Sequence, residues 1–205
     1  CHDNTFRRGV LRMGPSTSGP GSPQASIVMY NANDNLIENV IAIDGQANSD
    51  TDNSAFYITG HDPPADISGN KYYGIISLNN WGVGFWVSNG GPSDGNELHN
   101  SVLWSSQNAG LSFQCPGVSC LNEVIDHITL AGSASLGMYL DGPTISITNS
   151  IIGQNAGVGI NGVNATVATL DYSDFFSNTG GDYFGVSAGA NNITIGGGGT
   201  NLVGG

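Results

Sequence analysis

Basic side chains are the scarcest chemical group in this sequence. It has four lysine and arginine residues against sixteen aspartate and glutamate residues, which gives a formal net charge of −12. The four basic residues are Arg7, Arg8, Arg12 and Lys71. So few cations cannot neutralise a run of phosphates or hold the chain on an anionic lipid surface. The composition therefore disfavours nucleic acid and membrane surfaces as partners.

Long apolar runs and helical periodicity are also missing. No stretch approaches the roughly 18 consecutive apolar residues of a membrane-spanning helix, and none keeps the i, i+3, i+4, i+7 pattern over three turns. Thirty-two of the 205 residues are glycine, and turn dipeptides such as Asp94-Gly95 and Asp141-Gly142 recur, which disfavours long helices. We therefore predict no membrane span and an all-β fold.

The sequence does contain a repeat. A small residue followed by an apolar–any–apolar triplet occurs six times, at intervals of 20 to 29 residues. The copies are residues 26–29, 55–58, 82–85, 110–113, 137–140 and 157–160. Self-similarity of this length is typical of a solenoid, in which each repeat buries its apolar face against its neighbours.

A second segment precedes each triplet and keeps register with it. Its clearest copies are residues 35–43, 96–104 and 122–130, and weaker ones are 145–151 and 172–176. Apolar residues alternate with others in each copy, which is the pattern of a strand with one buried face. Strands that recur without helices between them predict a coil of two or three short strands per turn. Each strand then pairs in parallel with its equivalent in the next turn, about 4.8 Å away.

Stacking of equivalent residues predicts two columns. The inward column consists of one pair per turn, namely Val83/Phe85, Leu111/Phe113, Met138/Leu140 and Val158/Ile160. A polar column consists of Asn39, Asn100, Asp126, Asn149 and Asp174. We expect the polar column at a bend, where its side chains hydrogen-bond along the stack.

With these repeats, the chain resembles the right-handed parallel β-helix proteins of the pectate-lyase-like superfamily over residues 1–205. The resemblance implies a single all-β domain, a right-handed parallel β-helix solenoid of about seven turns. It implies no particular activity, because this architecture hosts many functions. Neither end of the sequence reads as a polar cap, so we expect a solenoid truncated at both ends. We expect further turns of the same chain, or head-to-tail copies of it, to cover those ends.

Two of the three cysteines lie close together. Cys115 and Cys120 bracket a short loop that a disulfide can close. Their spacing is longer than the redox C-x-x-C pattern, and no further Cys or His pair lies nearby for zinc. We predict a structural disulfide, which favours an oxidising setting, extracellular or at the cell surface.

Catalytic patterns are sparse. The resemblance implies that a polysaccharide lyase on this fold would need calcium-binding carboxylates with a basic residue, and that a glycoside hydrolase would need aspartate pairs. No Asp-Asp dipeptide occurs here, and the four basic residues do not cluster with acids. We interpret His61, His99 and His127 as surface residues rather than as acid and base. No catalytic residue is therefore assigned.

Two groups of carboxylates are candidates for binding calcium. Glu97 and Glu123 occupy the same place in consecutive repeats, so their stacked charges either splay into water or bind a cation. Asp44, Asp50 and Asp52 offer alternating oxygen ligands like part of a calcium loop, without the glycine and terminal glutamate of an EF-hand. Solvation is the alternative in both cases, and no other cofactor is predicted.

The outward face of the triplet strand carries aromatic residues. Tyr57, Trp86 and Tyr139 on one flat parallel sheet can stack on sugar rings, with Gln114 and Asp141 as hydrogen-bond partners. The alternative is that these aromatic rings pack under a neighbouring loop or against another subunit.

The sequence as a whole favours a non-catalytic extracellular β-helix, that is, a structural, adhesive or filament-forming surface protein. The alternatives are a carbohydrate-active enzyme, either a polysaccharide lyase or a glycoside hydrolase, and a carbohydrate-binding module on the same fold. The expected partners are further turns of the same chain or head-to-tail copies of it, and a polysaccharide.

Overall fold

Three parallel sheets make up most of the described chain. A computed structural model describes residues 2–12, 25–43, 54–60, 66–89 and 91–195. Strands pair in parallel throughout each sheet, and no helix occurs among those residues. The prediction of an all-β parallel solenoid is confirmed. Within the same ranges, no helix is long and apolar enough to cross a membrane.

Each turn contributes one strand to each of the three sheets. Sheet 1 contains β1 (Thr5–Arg7), β4 (Leu36–Glu38), β7 (Lys71–Tyr73), β11 (Glu97–His99), β15 (Glu123–Asp126), β18 (Thr144–Thr148) and β21 (Thr166–Asp171). Sheet 2 contains β2 (Val10–Arg12), β5 (Ile41–Ile43), β8 (Ile76–Leu78), β12 (Val102–Trp104), β16 (Thr129–Ala131), β19 (Ile151–Gly153), β22 (Asp174–Phe176) and β24 (Ile193–Ile195). Sheet 3 contains β3 (Ala25–Tyr30), β6 (Ser54–Gly60), β9 (Phe85–Asn89), β13 (Leu111–Gln114), β17 (Met138–Asp141), β20 (Ile160–Val163) and β23 (Tyr183–Phe184). A short fourth pair consists of β10 (Ser93–Asp94) and β14 (Cys120–Leu121).

The solenoid has about six turns rather than the seven predicted. Sheets 1 and 3 each contain seven strands, which six turns separate. Sheet 2 contains one strand more, β24, which has no equivalent in sheets 1 and 3 among the described residues.

The interior is filled by the middle residues of the short strands. In sheet 1 these are Ile37, Tyr72, Leu98, Ile125, Ile147 and Leu170, all of them buried. In sheet 2 the buried middle residues include Ala42, Leu103, Leu130, Ile152 and Phe175. Burial of these apolar side chains in continuous columns is the main favourable term that holds successive turns together.

The inward residues of sheet 3 are buried, but the predicted pairs are offset in two turns. Phe85 pairs with Leu111 rather than with Phe113, and Ile160 pairs with Met138. An offset of two residues keeps the alternation of inward and outward side chains. The predicted inward residues that lie in strands do face the core, although the columns they join are different. Val83 and Val158 precede their strands and are not part of the core cluster.

The offset arises from a choice between two glycines in each of these repeats. The sequence repeat was aligned on Gly82 and Gly157, whereas the structure stacks Gly84 and Gly159 on Gly110 and its equivalents. A Cβ added at Gly84 would lie 2.6 Å from the carbonyl oxygen of Gly110. Glycine therefore marks the position where successive turns approach most closely.

A ladder of asparagines lines the bend before sheet 1. The Oδ1 of Asn35 accepts the backbone N–H of Asn4 at 3.0 Å, that of Asn70 accepts from Asn35 at 3.1 Å, and that of Asn96 accepts from Asn70 at 3.0 Å. Their Nδ2 groups donate along the same column. In this asparagine ladder, each turn satisfies the polar backbone of the turn before it.

The polar column predicted from the sequence is not one column. Asn39, Asn100 and Asn149 do occupy the turn between sheets 1 and 2, with φ values of 56°, 50° and 51° that asparagine tolerates. Asp126 lies instead in β15 of sheet 1, and Asp174 lies in β22 of sheet 2. Another residue takes the left-handed turn position in those two repeats. The continuous hydrogen-bonded column is the asparagine ladder.

Candidate functional site

The outer face of sheet 3 holds the five residues predicted to bind carbohydrate. One outward row contains Val28, Tyr57, Trp86, Ser112, Tyr139 and Asn161. The next contains Tyr30, Thr59, Ser88, Gln114, Asp141 and Val163. The two-residue offset of β9 places Trp86 in the first row, beside Tyr57 and Ser112. The three aromatic residues therefore lie on a single row.

Tyr57 and Trp86 pack against each other within that row. Their ring centroids are 4.7 Å apart and the rings are tilted by 40°. Tyr57 is only 9% exposed, and Trp86 is half-buried. The indole N–H of Trp86 is buried without a hydrogen-bond partner, so packing rather than hydrogen bonding holds this ring. Tyr57 thus supports Trp86 and offers little surface of its own.

A groove begins beside Trp86, where the row changes from an aromatic residue to the small Ser112. This sheet 3 groove has a volume of about 270 Å³ and is lined by Val83, Asn108, Ala109, Ser112, Gln114, Leu136 and Tyr139. Ser112 forms its floor between Trp86 on one side and Tyr139 on the other, two strands or about 10 Å apart. The Nε2 of Gln114 donates to the Oγ of Ser112 at 2.9 Å, which fixes the amide at the floor. The groove is therefore lined by the aromatic ring of Tyr139 and by oriented polar groups, and Trp86 lies on the strand beside it.

Asp141 lies beside Gln114 and next to the disulfide. It pairs with Gln114 across β13 and β17, and its carbonyl oxygen accepts the N–H of Cys115 at 2.7 Å. Cys115 and Cys120 are bonded, with their Cα atoms 6.2 Å apart. The predicted disulfide is therefore confirmed, and it closes the loop that begins directly after Gln114.

Removal of this disulfide should loosen one end of the groove. We expect Cys115→Ser with Cys120→Ser to lower the free energy of unfolding by about 2 kcal/mol, since a bond across so few residues restricts the unfolded chain only modestly. Chemical denaturation followed by circular dichroism measures the change. Thiol labelling of the native, non-reduced protein is the control, and labelling of both cysteines there would contradict the bond.

Glu97 and Glu123 do not stack, which corrects the register assumed from the sequence. Glu97 pairs with Val124, and its side chain points out from sheet 1. The side chain of Glu123 is fully buried. Asn122 takes the left-handed position (φ 55°) that Gly95 takes in the preceding turn (φ 67°), so the repeat is aligned one residue later than the similar Asn-Glu pairs suggest. The two carboxylates face opposite sides of the sheet, so the stacked pair predicted from the sequence does not form.

Glu123 instead continues the asparagine ladder. Its Oε2 accepts the backbone N–H of Asn96 at 3.1 Å, and its Oε1 accepts the hydroxyl of Ser93 at 2.6 Å. Burial raises the pKa of Glu123 to about 7, although the hydrogen bonds from Ser93 and Asn96 act in the opposite direction. Glu123 is therefore a titratable residue in a ladder whose asparagine side chains are neutral amides.

A charged cluster on the outer face of sheet 1 was not predicted. It consists of Lys71, Tyr73, Glu97, His99 and Asp126, and we call it the Glu97 cluster. The Nζ of Lys71 lies 3.2 Å from the Oε1 of Glu97. The hydroxyl of Tyr73 donates a hydrogen bond to the Oε2 of Glu97 at 2.9 Å. The same Oε2 lies 3.3 Å from the Nε2 of His99. Partial burial raises the pKa of Glu97, but these partners outweigh it and hold the pKa below its ordinary value.

Asp126 closes the cluster on the next strand. Its Oδ2 lies 3.5 Å from the Nδ1 of His99 and 2.7 Å from the Nδ1 of His127. Thr148 and Asn149 donate to its Oδ1. Partial burial raises the pKa of Asp126, but hydrogen bonds from Asn149, Thr148 and His127 together lower it to about 2. Each charge in the cluster thus has an opposite charge or a hydrogen-bond partner within the sheet.

The described residues do not contain the predicted calcium sites. Asp44, Asp50 and Asp52 lie outside the described residues. In the described ranges, no group of three or more His, Cys, Asp or Glu side chains is arranged to hold a metal ion. Calcium binding at the aspartates remains a prediction from the sequence.

The Glu97 cluster had a usable signal in the sequence. Lys71-x-Tyr73, Glu97-x-His99 and Val124-x-Asp126 are equivalent outward pairs of successive turns. Alignment on the left-handed turn residue, rather than on the Asn-Glu dipeptides, would have brought them together. The groove also had a partial signal, because its lining residues Val83, Ala109 and Leu136 each precede a stacked glycine and are equivalent in successive turns.

Comparison with known proteins does not add a family assignment. No protein-family model matches the chain, and no curated protein matches it significantly.

Proposed function

We propose that this protein is a non-catalytic extracellular β-helix that binds a polysaccharide through the sheet 3 groove. The observation that carries the proposal is the row Trp86, Ser112, Tyr139, in which a small residue separates two aromatic side chains above a polar floor. Sugar rings present apolar faces and polar edges, which match aromatic flanks and amide or hydroxyl groups.

The charges around the groove favour a neutral glycan. Asp141 is the charged residue beside the floor, and the chain carries a net charge of −12. A uronate polymer would meet repulsion without a nearby cation to offset it. Lys71 lies on sheet 1, where it binds Glu97. The groove therefore lacks the base that a lyase requires, which supports binding without cleavage.

The disulfide supports an extracellular site of action, because disulfides persist in oxidising compartments. An adhesive role follows from glycan binding on a long, rigid stack. Head-to-tail copies, or further turns of the same chain, remain the proposed partners at the two ends of the stack.

A carbohydrate-active enzyme is the second candidate, and the Glu97 cluster is the observation that favours it. It places two carboxylates, an imidazole and an ammonium group on one outer face. These groups are general acids and bases in other enzymes. Their mutual pairing supports a structural role more directly, because no group in the cluster is left to act on a substrate.

Glycan binding is tested with paired tyrosine variants. We expect a neutral polysaccharide to bind, and Tyr139→Ala to weaken binding by about tenfold or more, as for a central aromatic contact. Tyr172→Ala is the matched control, since Tyr172 is 63% exposed in a turn far from sheet 3. Isothermal titration calorimetry over a panel of neutral and uronate polymers provides the measurement.

The same panel separates the candidates. Equal losses in the two tyrosine variants, or no binding to any polymer, would contradict the groove as a glycan site. Ultraviolet absorbance from unsaturated sugar ends, or newly formed reducing ends, would show cleavage and favour the enzyme. Loss of that cleavage in Glu97→Gln would assign it to the Glu97 cluster.

A further inference from the structure

A second row of buried polar side chains follows the bend between sheets 2 and 3. Its members each lie two residues after a strand of sheet 2, so they occupy equivalent places in successive turns. They are Asn80, Ser106, Ser133, Asn155 and Asn178, which we call the second ladder. Each of them is at most 2% exposed, so its polar atoms need partners inside the protein.

The asparagines of the second ladder bond along the stack. The Oδ1 of Asn155 accepts the backbone N–H of Ser133 at 3.0 Å, and that of Asn178 accepts the N–H of Asn155 at 3.4 Å. The Nδ2 of Asn155 also donates to the Oδ1 of Asn178 at 2.8 Å. Each of these side chains thus satisfies a backbone group of the turn before it.

The two serines break this pattern. Among the described residues, neither the Oγ of Ser106 nor that of Ser133 has a hydrogen-bond partner. Ser133 therefore does not accept the N–H of Ser106, and Ser106 does not accept the N–H of Asn80. A serine side chain ends where the carboxamide of an asparagine begins, so it does not reach the preceding turn.

The turns do not draw together at the serines. A backbone hydrogen bond joins each carbonyl oxygen of the second ladder to the next turn. Its length is 2.8 Å at Asn80, 2.8 Å at Ser106, 2.9 Å at Ser133 and 3.0 Å at Asn155. Because this spacing is the same around serine and asparagine, the room that a carboxamide fills at Asn155 is retained at both serines.

Serine completes such a row directly at another bend of the same stack. Between sheets 1 and 2, the Oγ of Ser150 accepts the N–H of Ile128 at 3.3 Å and donates to the carbonyl oxygen of Thr148 at 2.7 Å. Ser150 is as deeply buried as Ser106. The unpaired hydroxyls of Ser106 and Ser133 therefore follow from their positions and not from serine as a residue type.

We propose that Ser106 and Ser133 each bind a buried, ordered water molecule that takes the place of the missing carboxamide oxygen. One water bridges the Oγ of Ser133 to the N–H and the hydroxyl of Ser106. The other bridges the Oγ of Ser106 to the N–H of Asn80. Buried water typically makes about three hydrogen bonds to polar groups that otherwise have none. Water fits both sites because it donates and accepts, whereas neutral N–H and hydroxyl groups offer no charge to hold an ion.

A high-resolution crystal structure of the full chain tests the proposal directly. We expect one ordered water within hydrogen-bond distance of each of the two Oγ atoms. In a crystal structure of Ser133→Asn, the new Oδ1 should displace one water and accept the N–H of Ser106, while the water at Ser106 stays. A missing water at either serine of the wild type, or a direct bond from either Oγ to a protein group, would overturn the proposal.

Alanine variants separate a bound water from a dry site in solution. In a dry site the hydroxyl of Ser133 is a buried unsatisfied group, so Ser133→Ala would raise the Tm. With water bound, the same change removes one partner of the water, and the Tm should fall by about 1–3 °C. Ser150→Ala is the matched control and should lower the Tm further, because it removes two direct hydrogen bonds.

Ser133→Asn should change the Tm in the opposite direction. We expect a rise of about 2–4 °C, because a direct hydrogen bond replaces the bridge and releases the water. Thermal unfolding followed by circular dichroism measures all three variants. A higher Tm for Ser133→Ala, or a lower one for Ser133→Asn, in proteins that keep the wild-type spectrum would contradict the water sites.

Discussion

Replacement of Phe113 by alanine is expected to lower the free energy of unfolding by about 3–5 kcal/mol. Phe113 is 2% exposed, and its inward column continues to Val87 and Leu140 in the adjacent turns. Its ring centroid lies 6.3 Å from that of Phe85. Alanine would leave a cavity in the middle of the stack, where each turn is held only by its two neighbours.

The adjacent outward residue gives the control for this prediction. Gln114→Ala changes the same strand without opening the core and should alter the free energy of unfolding by less than about 1 kcal/mol. Urea denaturation followed by circular dichroism measures both variants. Losses of similar size would show that β13 does not bury one face against a continuous core, which would contradict the stacked arrangement.

The repeat in the sequence was enough to predict the stack, because a period-two pattern at a fixed interval has few structural solutions. It was not enough to fix every register. Gly82 and Gly84 fit the repeat equally well, and only the close approach of Gly84 to Gly110 distinguishes them. That contact joins consecutive turns and has no local signature in the sequence.

The candidate site, like the fold, was only partly predictable from the sequence. Alternation in the strands correctly placed Trp86 and Tyr139 on an outer face. The wall residue Leu136 is equivalent to Val83 and Ala109 of the preceding turns, and only alignment on Gly84 rather than on Gly82 brings these residues together. The burial of Glu123 depends on a one-residue choice in the preceding turn, so it was predicted on the wrong side of the sheet.

The outer faces of the three sheets differ in the chemistry of their side chains. Sheet 1 carries the Glu97 cluster, sheet 2 is largely apolar, and sheet 3 carries the groove. The proposed glycan site on sheet 3 and the charged cluster on sheet 1 therefore lie on different faces of the stack.

Glu123→Gln is expected to raise the free energy of unfolding at about pH 8 by on the order of 3 kcal/mol. Burial raises the pKa of Glu123 from its ordinary value of 4.5 to about 7. The native state therefore binds a proton that the unfolded chain has released between those pH values. The wild type is most stable below about pH 4.5 with respect to this group, and it loses that stability as the pH rises through about 7.

Glutamine reproduces the neutral form of the side chain. Its amide oxygen can accept the N–H of Asn96 as the Oε2 of Glu123 does, and its amide N–H can donate to the Oγ of Ser93. Urea denaturation at several pH values should show that the gain from Glu123→Gln vanishes near about pH 4. Glu97→Gln is the control with the opposite expectation. The pKa of Glu97 lies below its ordinary value because Tyr73 and Lys71 outweigh its partial burial. This variant should therefore not stabilise the protein at high pH. A gain that is the same at every pH would show that the pKa of Glu123 is the same in the folded and unfolded states, and would contradict the titrating ladder.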